Sequence, residues 1–152
     1  MSYEAGVNDF MPLLTKIKIN TPDLVYLITN VSDASLILEQ SKTIDLKPKM
    51  FFGGKPGFTL PGFLETAEIA SDYIFSATLW TPSVHYPGAK EYYDKFIARY
   101  SFPADYHGAQ AYAGMYVIAD AFKRARALTP QDVRNALAET DMMTVFGPVK
   151  FI

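Results

Sequence analysis

Three short apolar runs, Leu24 to Thr29, Lys49 to Phe52 and Tyr73 to Thr78, alternate with helix-patterned stretches over short connections. Strands that take turns with helices in this way cannot pair as hairpins and call for crossovers, so the pattern predicts βαβ units and a parallel sheet. The first helix is expected after Asn8-Asp9, a capping pair ahead of Phe10, Leu13, Leu14 and Ile17 at helical spacing. Pro12 fits because it lies in the first turn, where its missing N–H has no intrahelical partner to lose. Asn20 to Asp23 stops that helix, and Leu24 to Thr29 reads as a buried strand. Asn30 to Asp33 reads as a short turn capped by Ser32 or Asp33, ahead of a helix carrying Leu36, Ile37, Gln40 and Ile44. Lys47-Pro48 ends it, and after the next strand Pro61 opens a short helix through about Ile69.

Past Trp80 the character changes. Residues 81–88, TPSVHYPG, form a Pro-rich connection, the best place for a crossover or boundary. Three helices are expected beyond it: Ala89 to Tyr100, Tyr106 to Ala127, and Thr129 to Thr140. The second carries Ala111, Met115, Ile118 and Phe122 at helical spacing. The third has Thr129 as N-cap, Pro130 at the first helical position and Asp132 completing a capping box. Tyr92, Tyr93, Phe96 and Tyr100 give the first of these helices an aromatic face suited to core or interface packing. A last strand is expected over Val145 to Ile152, containing the turn Gly147-Pro148. It ends mid-pattern and the start is as abrupt, which reads as a piece of something longer.

Composition narrows the chemistry. A net charge of −2 gives no basic field for nucleic acid or an anionic membrane. There are no cysteines, so disulfides and thiolate metal sites are ruled out. The longest apolar stretches are too short to span a bilayer, and Met1-Ser2-Tyr3 shows no signal-peptide pattern. His85 and His107 stand 22 positions apart without a Glu at metal-ligand spacing, so no metal site is expected. GGKPGFT at 53–59 lacks the spacing of a phosphate loop, and no Gly-x-Ser-x-Gly elbow occurs. Asp23, Asp33 and Asp72 read as turn or capping residues. With no nucleophile–base pair and no metal set, an enzyme and a cofactor are not expected.

The remaining candidates come from position. In open parallel sheets, ligands bind beyond the carboxyl ends of the strands. Asn30 follows the first strand, Lys55 the second and Trp80 the third. These three are the candidate ligand-binding residues, although Lys55 taken alone is also an ordinary loop lysine.

The segments DFMPLLTKIK (9–18), TPDLVYLITN (21–30), QSKTIDLKPKMFFGG (40–54), PGAKEYYDKFIARY (87–100), DYHGAQAYAGMYVIADAFKRA (105–125) and VRNALAETDMMTVFGPVKF (133–151) together resemble one family. It is that of the extracytoplasmic solute-binding proteins of branched-chain amino-acid ABC transporters, the Leu/Ile/Val type. The resemblance covers nearly the whole chain in order. It implies the Rossmann-like α/β fold of periplasmic binding proteins of type I, two lobes closing on a small ligand, here incomplete and limited to the C-terminal half. On that basis residues 1–80 form the later part of the second lobe, 81–88 a crossover, and 89–152 the helices and strand that pack on a first lobe. It further implies a periplasmic or extracytoplasmic location, an ABC permease as docking partner, and uptake without catalysis. A ligand-sensing receptor domain of the same fold is the alternative. Helices meant to cover a sheet that is not here leave apolar surface, which raises a dimer of the chain.

The resemblance also bears on the ligand. The family's amino-acid binders carry an acidic residue in the loop after the strand matching Met50 to Phe52, where it pairs with the ligand's ammonium group. Here the loop reads Gly53-Gly54-Lys55, and Asn30 stands where the family has an aromatic residue. An ammonium group facing Lys55 would meet a like charge at a cost of several kcal/mol. A ligand with a carboxylate or other anionic group, such as an aromatic acid stacking on Trp80, fits these residues better.

Overall fold

A computed structural model describes residues 1–4, 6–54, 58–60, 62–63 and 74–151. The chain divides into two compact units, Met1–Thr78 and Leu79–Ile152.

The first unit is built on a parallel sheet. Helix α1 (Met11–Ile19) starts where the Asp9 carboxylate accepts the Met11 N–H at 2.9 Å, with Pro12 in its first turn. The N-cap position belongs to Phe10, which makes no side-chain cap bond, so the expected Asn8-Asp9 pair acts from one residue outside. Asn20 ends the helix and Thr21 turns away with φ 42°. Strand β1 (Leu24–Leu27) runs into helix α2 (Val31–Thr43), and β2 (Met50–Gly53) and β3 (Ile74–Ser76) follow. The strand order is β1-β2-β3, parallel throughout, with Leu27 beside Gly53 and Gly53 beside Ser76 at the carboxyl ends. Of the short helix expected from Pro61, only Gly62 and Phe63 are among the described residues, and both are helical.

Burial explains why α1 and α2 lie where they do. Val25, Leu27, Phe10, Leu14, Ile37 and Leu38 close one core, with Phe51 and Ile74 packed against it. Successive strand residues point to opposite faces. The row across the other face is therefore Tyr26, Phe52 and Phe75, and Tyr26 and Phe75 are half exposed. The expectation of a buried strand from Leu24 to Thr29 is corrected accordingly: Val25, Leu27 and Thr29 are buried, while Leu24, Tyr26 and Ile28 are all about half exposed, because α1 and α2 pack on the Val25 and Leu27 face.

The second unit holds helices α3 (Ala89–Tyr100), α4 (Tyr106–Arg124) and α5 (Pro130–Ala138), then strands β4 (Asp141–Thr144) and β5 (Gly147–Lys150). Helix α4 is capped by Asp105, which accepts the Gly108 N–H at 2.9 Å, and α5 by Thr129, which accepts the Asp132 N–H. The single strand expected from Val145 is instead an antiparallel hairpin pairing Asp141 with Lys150 and Thr144 with Gly147. Its turn is Val145-Phe146. The Thr144 hydroxyl accepts the Phe146 N–H at 3.1 Å and donates to the Gly147 carbonyl at 2.7 Å, while Gly147 supplies φ 115°. That dihedral favours glycine.

The buried stripe of α4 is Ala109, Ala113, Val117 and Ala121, and Ala109 packs with Tyr92 of α3 in the core around Trp80. Arg124 ties α4 to α5. Its Nη1 donates to the Ala136 carbonyl at 2.8 Å, its Nη2 to the Thr140 hydroxyl at 3.1 Å and its Nε to Asp120 at 2.7 Å.

Candidate functional site

The carboxyl edge of the first unit's sheet gathers its polar side chains where β1 passes into α2. Asn30 is the N-cap of α2, in place of the Ser32 or Asp33 expected to serve there. Its Oδ1 accepts the Asp33 N–H at 2.9 Å and the Ser32 hydroxyl at 3.2 Å, and its Nδ2 donates to the Asp33 carboxylate at 3.1 Å. Both lone pairs of Oδ1 are thus engaged, while an amide has two N–H donors and these bonds use one. What Asn30 can offer a ligand is a donor.

Two more groups join it from far along the sequence. Tyr3 donates its hydroxyl to Asp33 at 3.1 Å and is hydrogen-bonded to the buried Thr29 hydroxyl. Burial raises the Tyr3 phenol above its ordinary value; the Thr29 bond lowers it and the Asp33 carboxylate raises it again. Tyr3 therefore stays protonated and donating through the neutral range. The Asp33 charge sits in the first turn of a 13-residue helix, where the helix dipole favours it.

Beside this cluster, β2 ends in two glycines held from opposite sides. A Cβ on Gly53 would lie 2.1 Å from the Phe58 ring, and a Cβ on Gly54 2.0 Å from the Tyr26 hydroxyl. The Gly54 N–H donates to the Leu27 carbonyl at 2.8 Å, extending the ladder one step beyond the strand. The glycine pair serves to let two rings close on the backbone. Lys55, the next residue, lies outside the described residues.

Trp80 belongs to the second unit and is 3% exposed. Its Nε1–H donates to the Val145 carbonyl at 2.8 Å, and its ring meets Tyr92 edge-on at 5.8 Å and Tyr93 at 6.5 Å. In this structure the indole is a packing element that ties the start of the unit to the hairpin turn.

A cavity of about 310 Å³ lies in the second unit between α3, α4 and the hairpin, lined by Glu91, Lys95, Tyr112, Tyr116 and Met142 to Val145. Its polar groups satisfy one another: Lys95 pairs with Glu91 at 2.6 Å and the Tyr112 and Tyr116 hydroxyls meet at 3.0 Å. His85 is exposed, and His107 stacks on Tyr106 and contacts the Asp105 carboxylate at 3.4 Å. Among the described residues no group of His, Asp or Glu could hold a metal ion, and no helix is long and apolar enough to cross a membrane.

Sequence reasoning missed Tyr3, Thr29 and the pairing of Asp33 with Asn30. The spacing of Asn30 and Asp33, cap to third helical residue, could have shown the last. Nothing local could have brought in Tyr3, which acts across 26 and 30 positions.

Open parallel sheets commonly take ligands beyond the strand carboxyl ends, and here Tyr3, Thr29, Asn30 and Asp33 gather at the end of β1. The chain belongs to the periplasmic binding protein family, whose model it matches over residues 1–152. Among solved structures it is similar to the leucine binding protein LivK of Thermotoga maritima MSB8, with a TM-score of 0.85 and 20% identity over 97% of this chain and 42% of that one. It is also similar to LivJ of Streptococcus pneumoniae, a branched-chain amino acid transporter substrate binding protein solved with isoleucine. There the TM-score is 0.85 and the identity 25%, over 99% of this chain and 43% of that one. A third is an ABC transporter solute binding protein of R. palustris in complex with benzoate, with a TM-score of 0.81 and 20% identity, covering 99% and 41%. The chain thus spans about two fifths of the length of these relatives, and its parallel sheet with flanking helices is part of the periplasmic binding protein type I fold.

Proposed function

We propose that the chain is part of the substrate-binding component of an ABC importer, working outside the cytoplasm and without catalysis, and that its ligand is a small amino-acid-like compound or organic carboxylate. In this reading Asn30 and Lys55 face the ligand from the ends of β1 and β2. The observation that carries it is the state of Asn30, whose acceptor is consumed by the α2 cap while an N–H remains to donate. A leftover donor suits a carboxylate, and a lysine in the loop after Gly54 has the matching sign. Trp80, the third candidate, is buried against Tyr92 and Tyr93. Delivery of the ligand to a membrane permease and a dimer of the chain belong to the same reading.

The test is a titration followed by nitrogen-15 NMR, because one lobe of a two-lobed binder holds its ligand weakly. Millimolar benzoate is expected to move the Asn30 side-chain amide and the Gly54 and Lys55 backbone signals, and leucine to move them less. Leucine shifting these signals while benzoate leaves them still would overturn the carboxylate reading.

A further inference from the structure

The Asn30 amide proposed to meet the ligand has a negative charge beside it, because its Nδ2 donates to the Asp33 carboxylate at 3.1 Å. The two N–H bonds of a planar amide diverge by about 120°, so an acceptor on the second one would lie about 5 Å from the Asp33 oxygen. At that range two carboxylates repel, and more strongly where water is thinned out. A site of this kind takes an anion only if Asp33 is held in place and its charge is drawn to other donors.

Tyr3 does both. The Asp33 Oδ2 that accepts from Asn30 also accepts the Tyr3 hydroxyl at 3.1 Å. A phenol has one proton, and with that proton directed to Asp33 the Thr29 hydroxyl is the donor to the Tyr3 oxygen. The bonds thus run in series from Thr29 through Tyr3 to Asp33, and each polarises the next. The series stands on the core. Thr29 is buried, and the Tyr3 ring packs against the first unit's core, edge-on to Phe10 at 4.9 Å. Capping alone does not call for it. An acid at the third helical position commonly reaches back to the N-cap backbone N–H. Asp33 is bonded instead to the Asn30 and Tyr3 side chains, while the Asn30 Oδ1 caps α2 by itself.

We propose that Tyr3 is a positioning and specificity-determining residue of this site: its hydroxyl pins the Asp33 carboxylate in a fixed bond with the Asn30 amide, which keeps the second Asn30 N–H open to an anionic ligand. The proposal rests on the carboxylate reading above and adds the residue that makes the site tolerate a carboxylate beside Asp33. Without the phenol proton, Asp33 turns about its side-chain bonds and opposes the ligand's charge directly.

Tyr3→Phe removes that proton and keeps the ring on Phe10, so the circular dichroism should be unchanged. Two readouts from nitrogen-15 NMR of the chain test the proposal. Solvent exchange of the Asn30 side-chain amide protons is expected to quicken about threefold or more in Tyr3→Phe without any ligand, as the Asp33 bond loosens. Benzoate affinity is expected to fall about fivefold in Tyr3→Phe and to recover in Tyr3→Phe/Asp33→Asn, where no charge is left to oppose it. Benzamide, the neutral analogue, should be nearly indifferent to both changes. Unchanged Asn30 exchange in Tyr3→Phe would overturn the proposal whatever the ligand does. So would a loss of benzoate affinity that Asp33→Asn does not recover or that benzamide shares, since Tyr3 would then be a structural support only. Benzoate binding equally well to Tyr3→Phe and the unaltered chain would overturn the part given to Tyr3 and leave the carboxylate reading standing; no benzoate binding by the unaltered chain would overturn both.

Discussion

The Tyr26 hydroxyl stands over Gly54 so closely that a Cβ there would come within 2.0 Å of it. On the other side of the same backbone, Phe58 does this to Gly53 at 2.1 Å. The two contacts differ in what can yield. Tyr26 is 55% exposed and meets Gly54 with the far end of its side chain, whereas Phe58 is buried in the core. Gly54→Ala should therefore cost about 1 kcal/mol or less as Tyr26 swings aside, and Gly53→Ala about 2–3 kcal/mol. Urea unfolding followed by circular dichroism measures both, and Tyr26→Ala should restore only the first.

Asn30 has a structural duty and a proposed ligand duty, and two substitutions separate them. Serine is a good N-cap, so Asn30→Ser should hold stability within about 0.5 kcal/mol, while Asn30→Ala should lose about 1 kcal/mol. Both remove the spare N–H and should weaken benzoate binding alike. Equal binding by Asn30→Ser and the unaltered chain would show that the side chain acts only as a cap.

Trp80 reports on the second unit. It is the chain's single tryptophan and is enclosed, so its emission should be blue-shifted in the folded state and move red in urea. Trp80→Phe removes the bond to the Val145 carbonyl and part of the packing against Tyr92. A loss of about 2–4 kcal/mol is expected, read by dichroism in the variant and concentrated in the unfolding of the helical unit.

The Glu91–Lys95 pair on α3 gives a pH test. Lys95 holds the Glu91 carboxyl below its ordinary value, and Glu91 holds the Lys95 ammonium above its own. A depressed acid contributes stability that is present above its unfolded value and is lost as pH falls through the folded one. The melting temperature of Glu91→Gln should thus lie slightly below that of the unaltered chain at neutral pH and converge with it in acid. Both groups are exposed, so high salt should erase the difference as well.

Much of the fold was legible because its signals are local. Helix α3 covers the expected Ala89 to Tyr100, and the Thr129, Pro130 and Asp132 pattern marked the start of α5. The parallel pairing of β1, β2 and β3 followed from alternation with helices. The failures share a cause, which is dependence on what packs against a segment. Leu24, Tyr26 and Ile28 look as apolar as a buried strand, and only the placing of α1 and α2 shows which face is covered. Asp141 to Thr144 carries a charge and two methionines, so no strand pattern stood out, and the hairpin emerges only from its pairing with Gly147 to Lys150. The Ala111 to Phe122 stripe was visible as a period, but the buried side of α4 is its alanine stripe. At the site, Asn30 was marked by position, while its partner Tyr3 is brought in by tertiary folding alone.

The sign of the charge after Gly54 is the second support of the functional reading, and one comparison addresses it. Benzoate and leucine affinities of the unaltered chain and of Lys55→Glu, measured by NMR titration or calorimetry, should diverge. Charge reversal is expected to weaken benzoate about tenfold or more by placing like charges together, with folding nearly unchanged. Benzoate binding that is indifferent to Lys55→Glu, or leucine binding that exceeds benzoate binding in the unaltered chain, would contradict a carboxylate site at the ends of β1 and β2.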